Sequence, residues 1–278
     1  MTEEQALEYV KAASEKALAD FPKQHSVHFK LKEKTSSVLE SKIGGMPYLP
    51  VGCEIPLDSN GKQLRFLMQI NCSEVPKMEC FPEKGMIQFW IAADDCWGMY
   101  DNFKVVYHNE ITEEQADLKI TEFLDYEKEF FPLHGEFGVE FFEVYESISK
   151  NSLEYEKAFC KYFNELSGEN IKCTYDLQSK LKVSYNVYDE ACYSNNSAYG
   201  HKIGGNSDFC QYDPRETEEA MERYNFQLLQ MQSDFGRIDG KDFTNIMWGD
   251  AGICHFFINS EKLRNCDFSD ILYYCDCC

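Results

Sequence analysis

The feature that most constrains this chain is that it repeats itself. Ser41-Lys42-Ile43-Gly44-Gly45 returns as His201-Lys202-Ile203-Gly204-Gly205, and Leu67-Met68-Gln69-Ile70-Asn71 returns as Leu228-Leu229-Gln230-Met231-Gln232. A third block, Gly85-Met86-Ile87-Gln88-Phe89-Trp90-Ile91, returns as Gly252-Ile253-Cys254-His255-Phe256-Phe257-Ile258, in the same order and at nearly the same spacing. Ordered recurrence of this kind marks a duplicated structural unit. Each copy offers a Gly-Gly turn, a strand that ends in an amide side chain, and a glycine-initiated strand rich in aromatics. One copy supplies only about three to five short strands, too few to stand alone, so the copies are expected to share a core.

The predicted fold class is therefore α+β: an internally duplicated, strand-rich module whose two antiparallel-rich sheet halves share a core under covering helices. The first repeat spans 26–148 and the second 181–278, within a single domain of 1–278 that opens with an N-terminal helix over 1–22. In that helix Thr2 and Gln5 make a capping-box pattern, and Leu7, Val10, Ala13, Ala17 and Phe21 recur at helical spacing until Pro22. A second helix starts at Asn151 or Ser152, presents Tyr155, Phe159, Tyr162, Phe163 and Leu166 on one face, and stops at Gly168. Strands are predicted at 27–31, 64–70, 86–92, 103–108, 139–145, 226–232, 252–258 and 271–274. Alternation of Leu181, Val183, Tyr185 and Val187 with polar residues predicts another, and a short acidic helix is expected after Pro214, over 216–224.

Several blocks carry a resemblance to a known family. Lys42-Ile43-Gly44-Gly45-Met46-Pro47-Tyr48-Leu49-Pro50, Leu67 to Asn71, Phe81-Pro82-Glu83-Lys84-Gly85, Asp213-Pro214-Arg215, Trp248-Gly249-Asp250-Ala251-Gly252 and Asp267-Phe268-Ser269-Asp270 together resemble the bacterial YwqG family, over nearly the whole chain. That family is one of unknown function, so the resemblance implies no catalytic residues. More remotely, the Gly-Gly-x-Pro turn followed by a strand of the Leu-Leu-Gln type is similar to the eukaryotic programmed-cell-death-2 and ribosome-assembly proteins. That likeness implies chaperoning of a ribosomal protein. Those relatives tend to carry Cys-x-x-Cys pairs between the two blocks, whereas here only Cys53 lies between Gly45 and Leu67, and no zinc site is expected.

Charge narrows the function classes. With 27 Lys and Arg against 48 Asp and Glu the net charge is −21, a field that repels phosphate backbones and anionic headgroups and attracts basic protein segments. Nucleic-acid and membrane partners are disfavoured, and a basic protein or peptide is the expected partner. The acidic stretch holding Glu110, Glu113, Glu114, Asp117, Glu122, Asp125, Glu127 and Glu129 is the candidate dock. The 13 cysteines stand mostly singly in apolar runs, and the first twenty residues lack the apolar core of a secretory leader. Both point to a reduced, cytoplasmic compartment.

No residue constellation specifies a reaction. Gly44-Gly45 and Gly204-Gly205 lack the lysine and hydroxyl residue of a P-loop and read as turns with positive φ. Cys254 and His255 are neighbours in a strand and point to opposite faces, so they form no dyad. The tail Cys275-Asp276-Cys277-Cys278 lacks the paired spacing of a structural zinc site. Asp94, Asp95 and Asp250 read as turn residues. Neither a catalytic residue, a metal nor a cofactor is predicted. If a ligand binds, Lys42, Gly44, Gly45 and Gln69 of one repeat and Lys202, Gly204, Gly205 and Gln230 of the other would hold it, at the groove between the repeats. The expected function is a non-catalytic protein-binding module, an adaptor, holdase or neutralising partner, with an enzyme or small-molecule binder as the alternative.

Overall fold

A computed structural model describes residues 2–32, 37–118, 130–184, 186, 188 and 198–277. The chain forms two compact units. One comprises Met1–Ser26, Tyr145–Tyr199 and Gly205–Pro214, and the other Val27–Val144, Gly200–Gly204 and Arg215–Cys278.

In the first unit, helix α1 (Glu3–Ala19) begins at the expected capping box, with the Gln5 amide donating to Thr2 Oγ1 at 3.3 Å and the Thr2 amide donating to Gln5 Oε1 at 3.1 Å. Helix α2 (Leu153–Ser167) is capped by Ser152, whose Oγ accepts from the Tyr155 amide at 3.2 Å, and ends at Gly168 with φ 74°. Ala6, Val10, Ala13 and Ala17 form the buried stripe of α1, and Tyr155, Phe159 and Phe163 that of α2, in one hydrophobic cluster. Small residues on α1 leave room for the rings of α2. The short helix α3 (Tyr175–Ser179) follows, and the strand expected beyond it is not formed by the described residues. Among the described residues of 181–187 none is a strand: the Val183 amide turns back to donate to Leu177 O, and residue 186 is helical. Apolar alternation there serves burial of Val183 against the helices; Tyr185 and Val187 lie outside the described residues.

A ten-stranded sheet dominates the fold. Its strands are β1 (Gln24–Lys32), β2 (Lys42–Ile43), β3 (Arg65–Asn71), β4 (Met86–Ile91), β5 (Phe103–His108), β6 (Phe137–Glu146), β7 (His201–Gly204), β8 (Phe226–Gln232), β11 (Ile253–Ile258) and β12 (Ile271–Asp276). The spatial order is β12-β11-β8-β7-β1-β6-β2-β3-β4-β5, and the pairs β12/β11, β11/β8, β8/β7, β6/β2, β2/β3, β3/β4 and β4/β5 are antiparallel. Two arms thus extend from a central β1 and β6.

The registers of the two arms run in step. Lys42 faces Gln69, which faces Gln88; Lys202 faces Gln230, which faces His255. In the β3/β4 pair the register skips between Phe66 and Met68, and in the β8/β11 pair between Gln227 and Leu229, so Leu67 and Leu228 are the extra residues at matching bulges. Apolar faces of both arms contribute to one core, where Phe89 of β4 meets Phe256 of β11 at 4.9 Å between ring centroids.

Beyond the expected strands, β9 (Asp234–Ile238) and β10 (Lys241–Ile246) make a separate hairpin. Asp239 and Gly240, with φ 51° and 79°, form its tight turn. The predicted acidic helix is shorter than expected, α4 (Glu218–Arg223), capped by Thr217. Helix α5 (Ser260–Arg264) joins β11 to β12. No helix among the described residues is long and apolar enough to cross a membrane.

Candidate functional site

The eight candidate residues fall into two groups, one on each arm. β7 and β2 are separated by β1 and β6, about 14 Å along the sheet at ordinary strand spacing, so the arms carry two polar rows rather than one.

On the first arm the row is closed by its own loop. Gln69 is fully buried, and its Nε2 donates to Val38 O at 2.7 Å and to Glu40 O at 2.8 Å, while its Oε1 accepts from the Tyr48 amide at 2.8 Å. Gln88, opposite it on β4, donates to Tyr48 O at 2.6 Å and to Gln69 Oε1 at 3.3 Å. Trp90 Nε1 donates to Gln88 Oε1, and His108 lies against the same oxygen, both at 3.3 Å. The two amides therefore replace strand partners for the irregular backbone at 38–48. Lys42 is buried, and its Nζ donates to Ser37 O at 3.3 Å. Burial holds His108 below the ordinary imidazole range, so the ring beside Gln88 stays neutral.

On the second arm Lys202, Gln230 and His255 are all fully buried. Gln230 Nε2 donates to Gly200 O at 2.9 Å, as Gln69 does to its own loop. His255 Nδ1 lies 3.2 Å from Gln227 Oε1, and the guanidinium of Arg215 sits 4.1 Å above the Phe257 ring. Burial first, and then the positive charges of Arg215 and Lys202, drive the His255 pKa well below the usual value.

Both Gly-Gly turns are left-handed, with φ 65° and 71° at Gly44 and Gly45 and 70° at each of Gly204 and Gly205. A Cβ on Gly45 would come 2.6 Å from Glu136 Oε2, and one on Gly205 would collide with Glu146 Oε1. Glu146 is fully buried, its Oε1 accepts from the Asn206 amide and its Oε2 from Ser26 Oγ at 3.0 Å. The space over each turn where a phosphate would lie is thus held by a glutamate of the chain itself. Glu136 and Glu146 stand outside the repeated blocks, at either end of β6, and nothing in the local sequence marks them.

The acidic stretch is fixed at its start. Thr112 donates its amide to Tyr48 Oη at 2.9 Å, Ala116 donates to Leu49 O at 2.7 Å, and Gln115 Oε1 accepts from the Leu49 amide at 3.0 Å. Glu110, Glu113, Glu114 and Asp117 are all exposed; Glu122, Asp125, Glu127 and Glu129 lie outside the described residues. Asp94 caps its turn, accepting from the amides of Cys96 and Gly98 at 3.0 and 2.9 Å. Among the described residues no three His, Cys, Asp or Glu side chains are grouped to hold a metal ion.

A family described as a domain of unknown function, DUF1963, matches residues 41–277. The chain belongs to the DUF1963 family. Both rows, both Gly-Gly turns and the two glutamates lie within the DUF1963 match. Comparison with curated proteins finds no match.

Proposed function

We propose that this DUF1963 chain is a non-catalytic protein-binding module that engages a basic segment of a partner protein, as an adaptor, holdase or neutralising partner. One observation carries the reading. The segment from Glu110 to Asp117 is bonded to the first arm through Tyr48 and Leu49, and its four carboxylates all face solvent, on a chain of net charge −21. The backbone that carries these solvated carboxylates is already held to the first arm, so it loses little freedom on meeting lysines and arginines, and their field speeds the approach. A ligand placed on the first row would have to displace the contacts of Gln69 and Gln88 with residues 38–48.

The chain is further proposed to be a member of the YwqG branch, working in the cytoplasm, and its two arms to be diverged copies of one unit. Equal registers at Lys42/Gln69 and Lys202/Gln230, with bulges at Leu67 and Leu228, support the duplication.

Capture with the tagged chain from its own lysate at low salt, followed by a salt-step elution, tests the binding reading. One stoichiometric basic protein should elute with salt and be lost when Glu113, Glu114 and Asp117 are changed to amides. Retention of the same partner by that variant contradicts the proposal.

A further inference from the structure

Cys254 and Cys275 are directly opposed on the antiparallel strands β11 and β12. Opposed residues in such a pair have Cα atoms about 4.5–5.5 Å apart, within the roughly 4.4–6.8 Å that a disulfide spans. Two residues along, Phe256 and Tyr273 occupy the same kind of position and stack with centroids 4.5 Å apart, so side chains in this row turn toward each other on the core face. Both cysteines are free thiols in the hydrophobic core, with exposures of 0% and 6%. Among the described strand residues of the sheet, Cys254 and Cys275 are the cysteines, and they face each other.

We propose that Cys254 and Cys275 are a modification site: an oxidisable pair that closes a disulfide across the last two strands and locks β12 onto the sheet. The oxidant is a hydroperoxide. One thiol, as its thiolate, attacks the peroxide oxygen and breaks the O–O bond, giving a sulfenic acid and one water (from hydrogen peroxide). The second sulfur displaces hydroxide from the sulfenic sulfur, forming the S–S bond and, with the remaining proton, a second water. Two thiols thus lose two electrons and two protons, and a dithiol reverses the change by exchange.

Access sets the rate. Burial pushes the Cys275 thiol up to about 12 and that of Cys254 well above its ordinary value, so both stay protonated while the sheet is closed. β12 stands at the end of the spatial order, paired with β11, and reaction follows its lifting. The disulfide then records an opening of this edge and prevents the next.

The test treats the full chain with hydrogen peroxide, alkylates the remaining thiols, and maps disulfides by non-reducing digestion and mass spectrometry. Linkage of the peptides holding Cys254 and Cys275 should dominate, its rate should rise about tenfold in mild urea, and the melting temperature should rise by about 5 °C. Cys254→Ala and Cys275→Ala, each measured for secondary structure first, should lose that rise. Linkage of Cys275 mainly to Cys277 or Cys96, absence of the 254–275 link, or an unchanged melting temperature on its formation would each overturn the proposal.

Discussion

The carboxylate of Glu146 occupies the space over Gly205 into which any other residue would place its Cβ. The relation joins the end of β6 to the turn after β7, and its counterpart joins Glu136 to Gly45. A left-handed backbone and a carboxylate in contact are two separate reasons for glycine, and substitution meets both.

Gly205→Ala should therefore cost about 3 kcal/mol in urea unfolding, from the strained φ together with displacement of a buried, hydrogen-bonded carboxylate. Gly45→Ala should cost less, since Glu136 is only half-buried and can swing away. Equal stability of Gly205→Ala and wild type would contradict the arrangement.

Replacing the glutamate tests the same contact from the other side. Glu146→Ala removes the carboxylate that accepts from the Asn206 amide and the Ser26 hydroxyl and should destabilise by about 2–3 kcal/mol, whereas Glu146→Gln keeps an oxygen and should recover about half of the loss. A glutamine variant no better than alanine would mean that charge, not acceptance, is what the turn requires.

Gln69 has a heavier load than its neutral side chain suggests. Gln69→Leu removes the acceptor of the Tyr48 amide and the donor to Val38 and Glu40, all in a buried setting, and should cost about 3 kcal/mol. Hydrogen exchange should show faster exchange of the Tyr48 amide than of β4 amides. Unchanged protection at Tyr48 would place the loop's support elsewhere.

Two histidines give stability a pH dependence. Burial, with a smaller contribution from His28 and opposed by Asp234, lowers His201 to about 4, and His255 lies well below its ordinary value. Both are more readily protonated in the unfolded chain, so their contribution is full above about pH 6.5 and is lost as pH falls toward 4. Carboxylates such as Asp267, lowered to about 2 by Ser269 and Lys262, matter only below that window. Relief of repulsion among acids acts in the opposite sense, so the check is a difference: wild type minus His201→Gln should lose stability between pH 6.5 and 4.5. A flat difference would contradict it.

Much of this fold was legible in the sequence because its signals are local. Thr2 and Gln5 cap α1 and Ser152 and Gly168 bound α2, as their spacing predicts, whereas the facing of Lys42 with Gln69 and of Lys202 with Gln230 comes from the strand registers and not from the recurrence. The failures are of two kinds. Alternation of Leu181, Val183, Tyr185 and Val187 predicts a strand that the described residues of that stretch do not form, because a short apolar rhythm does not distinguish a sheet from a loop packed on helices. Glu136 and Glu146 were invisible because the glycines they touch lie far along the chain, and an isolated glutamate carries no mark of burial. The β9/β10 hairpin could have been found from Asp239-Gly240, a strong turn signal between apolar-containing segments.

The exposed carboxylates of 110–117 are proposed to receive a basic segment. The most direct measurement is titration of the chain with a lysine- and arginine-rich peptide from 20 to about 300 mM salt, for wild type and for the Glu113→Gln, Glu114→Gln, Asp117→Asn variant. The account predicts affinity that falls at least about tenfold across that range and a clearly shallower slope in the variant. Affinity independent of salt, or a variant that binds as wild type does, would contradict it.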